Sequence, residues 1–179
     1  MVSPRDDGHS MAPSPWVMRF APLIRAGGAV LDLACGPGRH TRYLDALGYR
    51  VLAVDIDISG VQDLVRSESV ELLEADLEED DWPFSDRRFD GIVVTNYLFR
   101  PHLRSLPESL APGGVLIFET FAKGNESVGR PTNPDFLLDP GELLNAFAPK
   151  LTIVAYEHGF EEEPRPAVRQ RICAVKKGD

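Results

Sequence analysis

The sequence is short of the features that mark several classes of protein. Its 179 residues hold two cysteines, Cys35 and Cys173, and no CxxC pair, so a zinc site and a disulfide framework are both unsupported. No uninterrupted apolar run approaches the roughly 20 residues that a membrane helix needs. These shortages favour a cytoplasmic chain that works without a metal and without a membrane.

Basic charge is also scarce. Lys and Arg number 19 against 28 Asp and Glu, which gives a net charge of −9 at pH 7. A chain this acidic is a poor counterion for phosphate backbones, so we expect no nucleic acid partner and no anionic membrane partner. The opening residues MVSPRDDGHSM lack the apolar core of a signal peptide, and we predict a disordered tail over residues 1–12.

The rest of the chain alternates apolar runs with segments of helical spacing. Its length predicts one domain, over residues 13–179. Strands are predicted at 29–33, 50–54, 70–73, 89–95, 115–120, 151–156 and 167–175, and the last of them alternates polar and apolar residues as an antiparallel edge strand does. Helical segments are predicted at 13–25, 37–47, 59–66 and 141–147 and after Pro101. The alternation indicates an α/β fold with a doubly wound, mainly parallel sheet and helices on both faces.

The stretch around which this pattern is organised is residues 30–40, VLDLACGPGRH. It predicts a buried strand, a tight turn with Gly36 and Gly38, and a helix that begins directly afterwards. Glycine has no Cβ, so such a turn lets a ligand lie against bare backbone. In doubly wound sheets this turn lies beside the crevice where ligands bind.

Three aspartates suggest which ligand this is. Asp55 ends the second strand, where a carboxylate can accept hydrogen bonds from the two hydroxyls of a ribose. Asp76 follows the third strand, where it can accept from an adenine amino group while Leu77 donates a backbone N–H. Asp32 precedes the glycines, where it would repel a pyrophosphate and attract a cationic amino-acid tail. The third glycine of the dinucleotide pattern is missing, and Thr41 stands in its place.

Five segments in order carry a resemblance to a known family: VLDLACGPG, AVDID, EADLEE, FDGIVVTNYLF and LAPGGVLIFET. Together they resemble the motifs of class I S-adenosylmethionine-dependent methyltransferases, over about residues 16–175. The chain is most similar to small single-domain members such as tellurite-resistance and other small-molecule methyltransferases. The resemblance implies a Rossmann-like sheet of seven strands with the last antiparallel, and transfer of a methyl group to a small acceptor.

The resemblance also implies where the donor would bind. Gly36 and Gly38 match the glycines that let the donor approach, Asp32 the acid near its methionine amino group, and Asp55 the ribose-binding acid. Asp76 and Leu77 match the adenine-binding pair, and Thr95 or Asn96 lies where the backbone meets the methionine moiety. The predicted donor-binding set is Asp32, Ala34, Cys35, Gly36, Gly38, Arg39, Asp55, Ile56, Asp76, Leu77, Thr95 and Asn96.

The acceptor site is less defined by the sequence. Trp16 and Tyr97 could line an acceptor pocket or belong to the core, and no residue is marked as catalytic because a sulfonium needs no protein nucleophile. Residues 121–140 form a candidate lid. The Asn-Pro-Pro-Tyr motif of many amino-group methylases is absent, since 95–98 is TNYL. The candidate acceptor residues are Trp16, Arg19, Tyr97, Phe99, Glu119 and Arg130.

Two other functions share parts of this pattern. A nicotinamide-dependent oxidoreductase would use the same strand, turn and helix, although Asp32 and Thr41 disfavour it. A non-catalytic module could keep the donor site and lack the chemistry. The sequence does not distinguish a monomer from a homodimer.

Overall fold

A single sheet of seven strands organises the computed structural model, which describes residues 12–79 and 81–178. The predicted tail, apart from Ala12, lies outside the described residues. The strands are β1 (Ala29–Leu33), β2 (Arg50–Asp55), β3 (Val70–Glu74), β4 (Phe89–Thr95), β5 (Leu110–Phe121), β6 (Leu151–Glu161) and β7 (Ala167–Lys176). Their order across the sheet is β3-β2-β1-β4-β5-β7-β6, and β7 runs antiparallel to both neighbours. The predicted fold class is confirmed.

The sheet has its switch point at β1. Leu31 of β1 lies opposite Leu52 of β2 on one side and Ile92 of β4 on the other, and both pairings are parallel. The chain first builds outward through β2 and β3, then returns to the other side of β1 with β4 and β5. The connections therefore leave β1 and β4 in opposite directions, which opens a crevice at the carboxyl ends of these strands.

The helices are short. They are α1 (Pro15–Phe20), α2 (Arg39–Ala46), α3 (Ser105–Ser109) and α4 (Glu142–Phe147), with 3₁₀ helices at Ala21–Leu23, Ser59–Arg66 and Arg100–Arg104 among others. The Ser14 hydroxyl caps α1 by accepting the Trp16 N–H at 3.1 Å. The α-helix changes to a 3₁₀ helix at Ala21, next to Pro22, whose ring disfavours a continued α-helix.

Apolar side chains cover both faces of the sheet. Leu31 and Leu33 of β1 face one core, together with Phe118 and Phe147, whereas Val30 faces the other core with the buried residues of α1. Successive side chains of a strand point to opposite faces, so near-continuous apolar strands supply both cores. This double burial holds the strand ends, and the turns that follow them, in fixed positions.

One local prediction is wrong. β7 is not an edge strand, because it lies between β5 and β6, and its alternation reflects ion pairs made at its amino end. Residues 111–114 form an irregularity within β5, opposite the start of β4. Leu47 follows the end of α2 at Ala46 and is 47% exposed.

Candidate functional site

A cavity of about 1160 Å³ lies at the carboxyl ends of the central strands. Its floor comes from the turns after β1, β2, β3 and β4, and its far wall comes from residues 128–131 and 164–169. This volume exceeds the roughly 300–1,000 Å³ of a typical small-molecule site. Ten of the predicted donor-binding residues line it: Ala34, Cys35, Gly36, Arg39, Asp55, Ile56, Asp76, Leu77, Thr95 and Asn96.

The turn after β1 presents bare backbone to this cavity. Gly36 has φ +53°, and a Cβ built on it would meet no atom within 4 Å, because that side faces open space. Ala34 and Asn96 also have positive φ, of 55° and 54°. Left-handed backbone is uncommon in residues other than glycine and is found at functional sites. The carboxyl ends of β1 and β4 therefore carry backbone conformations that only their surroundings can hold.

Gly38, the second glycine of the turn, packs against another segment of the chain. It does not line the cavity, and a Cβ on it would lie 2.3 Å from Val61 Cγ1 and 2.8 Å from an Arg42 nitrogen. Gly38 caps α2 at φ +78°, and its missing side chain lets the 3₁₀ helix Ser59–Arg66 pack against the start of α2. The second glycine of the turn serves packing, whereas Gly36 faces the cavity.

Asp32 lies beneath the glycine turn and not in the cavity wall. Its side chain is buried, does not line the cavity, and accepts a 2.6 Å hydrogen bond from the Thr41 hydroxyl. Burial raises the pKa of Asp32 to about 7, against the opposing effects of Thr41 and Arg39. The two residues that disfavour a dinucleotide site are thus one hydrogen-bonded pair beneath the glycine turn.

Asp55 and Asp76 do line the cavity, and the backbone orients both carboxylates. Asp55 Oδ2 accepts the Gly36 N–H at 2.8 Å, and Oδ1 accepts the Asp57 N–H at 3.1 Å. Asp76 Oδ1 accepts the Glu78 N–H at 2.9 Å. A carboxylate has about four lone-pair sites, so each keeps acceptor capacity toward the cavity. The carboxyl ends of β2 and β3 therefore present two fixed acceptors.

Tyr97 brings an unpaired hydroxyl to the same end of the cavity. Its side chain is 9% exposed, and the hydroxyl is the one buried side-chain polar atom without a hydrogen-bond partner among the described residues. Burial raises the pKa of Tyr97, and the negative charges of Glu78, Asp76 and Asp55 raise it further. An unsatisfied buried hydroxyl costs free energy, so this group marks a place where a ligand can supply the partner.

Two buried side chains beside the cavity, Cys35 and His40, are both neutral. Burial raises the pKa of the Cys35 thiol, which stays neutral. His40 accepts the Ser14 N–H on Nε2 at 3.1 Å, and its Nδ1 lies 3.2 Å from the Thr95 hydroxyl. Burial lowers the pKa of His40 to about 3. The neutral His40 side chain, on α2, thus connects the start of α1 to the end of β4.

The predicted acceptor residues are not brought together. Tyr97 and Arg130 line the cavity, whereas Phe99 lines a smaller one of about 310 Å³ beside it. Three others do not line either: Trp16 donates to the Ile172 carbonyl under the sheet, Arg19 pairs with Glu157, and Glu119 pairs with Arg171. Trp16 is buried because the apolar side of α1 packs on the sheet, as its alternative interpretation held.

The sequence pattern gave no signal for Arg165 and Arg169, which line the far wall. Arg169 lies on β7, and its side chain is 12% exposed. It donates to Glu161 Oε1 and Asn96 Oδ1, each at 2.5 Å, and covers the Phe121 ring at 4.1 Å. Only the antiparallel insertion of β7 between β5 and β6 brings this residue to the cavity.

The described residues contain no group of histidine, cysteine and acidic side chains placed to hold a metal ion. None of the helices in the described ranges has the length and apolar character needed to cross a membrane.

Comparison with known proteins agrees with this geometry. A family model described as a methyltransferase domain matches residues 30–114. A malonyl-[acyl-carrier protein] O-methyltransferase of Pseudescherichia vulneris is 32% identical over 108 residues, which are 56% of this chain and 42% of that protein. The chain thus matches less than half of the length of that relative.

Solved structures share the fold. The crystal structure of TehB from Haemophilus influenzae has a TM-score of 0.77 at 21% identity, over 94% of this chain and 64% of the other. The 1,6-didemethyltoxoflavin-N1-methyltransferase of Burkholderia thailandensis, solved with bound 1,6-didemethyltoxoflavin and S-adenosylhomocysteine, has a TM-score of 0.69 at 20% identity, over 91% of this chain and 77% of the other. Residues 30–114 therefore match a methyltransferase domain, and the chain as a whole shares the sheet order and fold of these S-adenosylmethionine-dependent methyltransferases.

Proposed function

We propose that the protein transfers a methyl group from S-adenosylmethionine to a small-molecule acceptor and releases S-adenosylhomocysteine. The observation that carries the proposal is the bare Gly36 backbone beside Asp55, at the switch point of the sheet and open to a cavity. Carboxylates surround this turn, and the third glycine of the dinucleotide-binding pattern is replaced by Thr41. The surroundings suit a cationic adenosine derivative better than a pyrophosphate.

The residues present fit the donor. Asp55 would accept from the ribose hydroxyls, and Asp76 would accept from the adenine amino group. Ile56, which is 40% exposed and lines the cavity, offers an apolar surface for the purine. The buried Tyr97 hydroxyl would gain a hydrogen-bond partner. The donor, when bound, supplies an activated methyl group on its sulfonium.

The chain itself would contribute mainly orientation. Holding an acceptor atom in line with the methyl carbon and the sulfur can contribute roughly 7–11 kcal/mol. The neutral Cys35 thiol and the doubly bonded His40 leave no activated nucleophile here, and this chemistry needs none. The left-handed turns at Ala34 and Asn96 keep the backbone at the centre of the cavity in one arrangement.

Residues 121–140 would act as a lid over the acceptor side of the cavity. Residues 121–140 contain two short 3₁₀ helices, and Ala122 pairs with Leu138, which ties the two ends of the segment together. Its middle, residues 128–131, lines the cavity opposite the glycine turn. The segment would exclude water from the acceptor side and need open only to exchange ligands.

Two measurements test the proposed function. Calorimetry should detect S-adenosylhomocysteine binding to the purified protein, whereas NAD should not bind. Incubation of S-adenosylmethionine carrying a deuterated methyl group with a metabolite extract should yield a deuterated product and S-adenosylhomocysteine. Binding of NAD alone would favour an oxidoreductase, and donor binding without transfer to any extract would favour the non-catalytic module.

A further inference from the structure

The two halves of the cavity carry opposite charge. Four carboxylates line the half built on the ends of β2 and β3: Asp55, Asp57, Asp76 and Glu78. Three guanidinium groups line the far half, on residues 128–131 and 164–169: Arg130, Arg165 and Arg169. No acidic residue lines that far half of the described cavity, although the chain as a whole has a net charge of −9.

The separation of the two halves follows from the sheet order. β2 and β7 are four strands apart in the order β3-β2-β1-β4-β5-β7-β6, which corresponds to about 19 Å at a strand spacing of about 4.8 Å. This exceeds the Debye length of about 8 Å at physiological ionic strength. The carboxylates at the ends of β2 and β3 therefore do little to neutralise the arginines of the far half.

Arg169 is held in place before any ligand arrives. Glu161 and Asn96 take up its Nε and one terminal nitrogen, and the guanidinium plane lies over Phe121. Its second terminal nitrogen has no partner among the described residues. Arg130, on the loop opposite, has no ion-pair partner in the described part of the chain. Guanidinium groups present N–H donors in a planar fork that matches carboxylate and phosphate oxygens.

The walls around these arginines are apolar. Phe121 and Phe136 line this half, together with Val128 and the proline rings of residues 131, 164 and 166. Apolar walls bind the body of a ligand by the hydrophobic effect, while a few placed polar groups fix its orientation. The combination suits a compact organic body with one anionic group.

We propose that the methyl acceptor is an organic acid, with a carboxylate or phosphate monoester on an apolar body, whose anionic group binds Arg130, Arg165 and Arg169. This inference rests on the proposed function, because it assigns the far half to the acceptor and the near half to the donor. The anion would accept hydrogen bonds from these guanidinium groups, among them the second terminal nitrogen of Arg169, and would direct the rest of the acceptor toward the glycine turn.

Binding to the protein loaded with S-adenosylhomocysteine tests the assignment. The probes are benzoate against benzamide and phenyl phosphate against phenol, so each pair differs in charge on a similar ring. We expect at least one acid to bind at least tenfold more tightly than its neutral counterpart, measured by calorimetry and thermal shift. The pair that shows the preference distinguishes a carboxylate from a phosphate.

Variants identify the residues that confer this preference. In Arg130→Gln/Arg165→Gln the acid should lose at least tenfold in affinity, whereas S-adenosylhomocysteine should bind within twofold of the unmodified protein. Arg66→Gln, an exposed arginine outside the cavity, is the matched control and should change neither affinity. Arg169 is left intact because it also holds Asn96 and Glu161.

Each remaining outcome contradicts the proposal. Equal binding of acids and neutral probes, no binding of any acid at 10 mM, or an unchanged acid affinity in the double variant would overturn it. A large loss of S-adenosylhomocysteine affinity in the double variant would reassign the arginines to the methionine carboxylate of the donor. Failure of the unmodified protein to bind S-adenosylhomocysteine would instead overturn the proposed function, so the two failures are distinguishable.

An extract separated by anion exchange at pH 8 gives a second readout. Methyl transfer is expected in the retained, anionic fraction. Transfer confined to the unretained fraction would support the methyltransferase and exclude an acidic acceptor.

Discussion

The two halves of the cavity are built from different kinds of structure. The donor half consists of turns that directly follow buried parallel strands, such as Gly36 after β1 and Asp55 at the end of β2. The far half consists of residues 128–131 and 164–166, which belong to longer connections, and of Arg169 at the start of β7. A strand end held by two cores can keep a ligand contact within narrow limits, while connections can vary to suit another ligand. The half built on the strand ends is therefore held more firmly by the sheet than the far half.

The sharpest test of the donor half is Gly36→Val. The new side chain would project into the open cavity, so we expect S-adenosylhomocysteine binding to fall below detection by calorimetry. Valine at positive φ also strains the backbone, by about 1–3 kcal/mol. Gly27→Val is the control, because Gly27 has φ +67°, no neighbour within 4 Å of its Cβ, and no place in the cavity. Equal binding by the two variants, each with near-native circular dichroism, would remove the turn from the donor site.

The pH dependence of stability tests whether Asp32, buried beneath the glycine turn, is protonated in the native protein. Its pKa of about 7 lies above the ordinary 3.8, so the native protein holds a proton that the unfolded chain has lost between about pH 4 and pH 7. Stability should therefore fall as pH rises through this range, by up to about 1.4 kcal/mol per pH unit. Asp32→Asn should remove this slope, measured as urea unfolding free energies at pH 5 and pH 8. An identical slope in both proteins would mean that Asp32 is ionised in its buried site.

Asp55→Ala tests the ribose contact. Hydrogen bonds to a charged group contribute about 1.5–3 kcal/mol, so S-adenosylhomocysteine affinity should fall roughly 10- to 100-fold. Asp86→Ala, an exposed acid outside the cavity, should leave the affinity unchanged. If S-adenosylhomocysteine still binds Asp55→Ala with native affinity, the carboxylate serves only to hold the Gly36 N–H.

Tyr97→Phe should give the smallest effect on ligand affinity. It separates a hydrogen bond to the donor from a role of the ring in packing. Removing only the hydroxyl should lower S-adenosylhomocysteine affinity about fivefold, as expected for a hydrogen bond of about 1 kcal/mol. The free energy of unfolding should not decrease, because the hydroxyl has no partner among the described residues. Tyr156→Phe is the control, since its hydroxyl lies 3.1 Å from Gln170 and outside the cavity. Lost affinity for the acceptor alone would move Tyr97 to the far half.

The sequence was informative where a function depends on residues close together in the chain. The apolar run of β1, the turn at Gly36 and the acids after β2 and β3 are local patterns, and ten of the predicted donor residues do line one cavity. The glycine pattern could not separate Gly36 from Gly38, because the Cβ clash at Gly38 comes from Val61, which is remote in the chain. Likewise, the Thr41 hydroxyl that donates a hydrogen bond to Asp32 is a tertiary partner.

The far half depends on contacts between distant segments. Arg169 reaches the cavity because β7 enters the sheet between β5 and β6, next to Phe121 and close to Asn96. Arg19 and Glu119 had equally suitable charges, but each pairs with another residue outside the cavity, whereas Arg169 lines the cavity although it also pairs with Glu161. By itself the sequence determined the strands, the glycine turn and the acids that follow β2 and β3, since short-range periodicity and turn chemistry encode them. Only the tertiary structure decided which charged side chains reach the cavity and which lie outside it, because these positions depend on distances that no local pattern records.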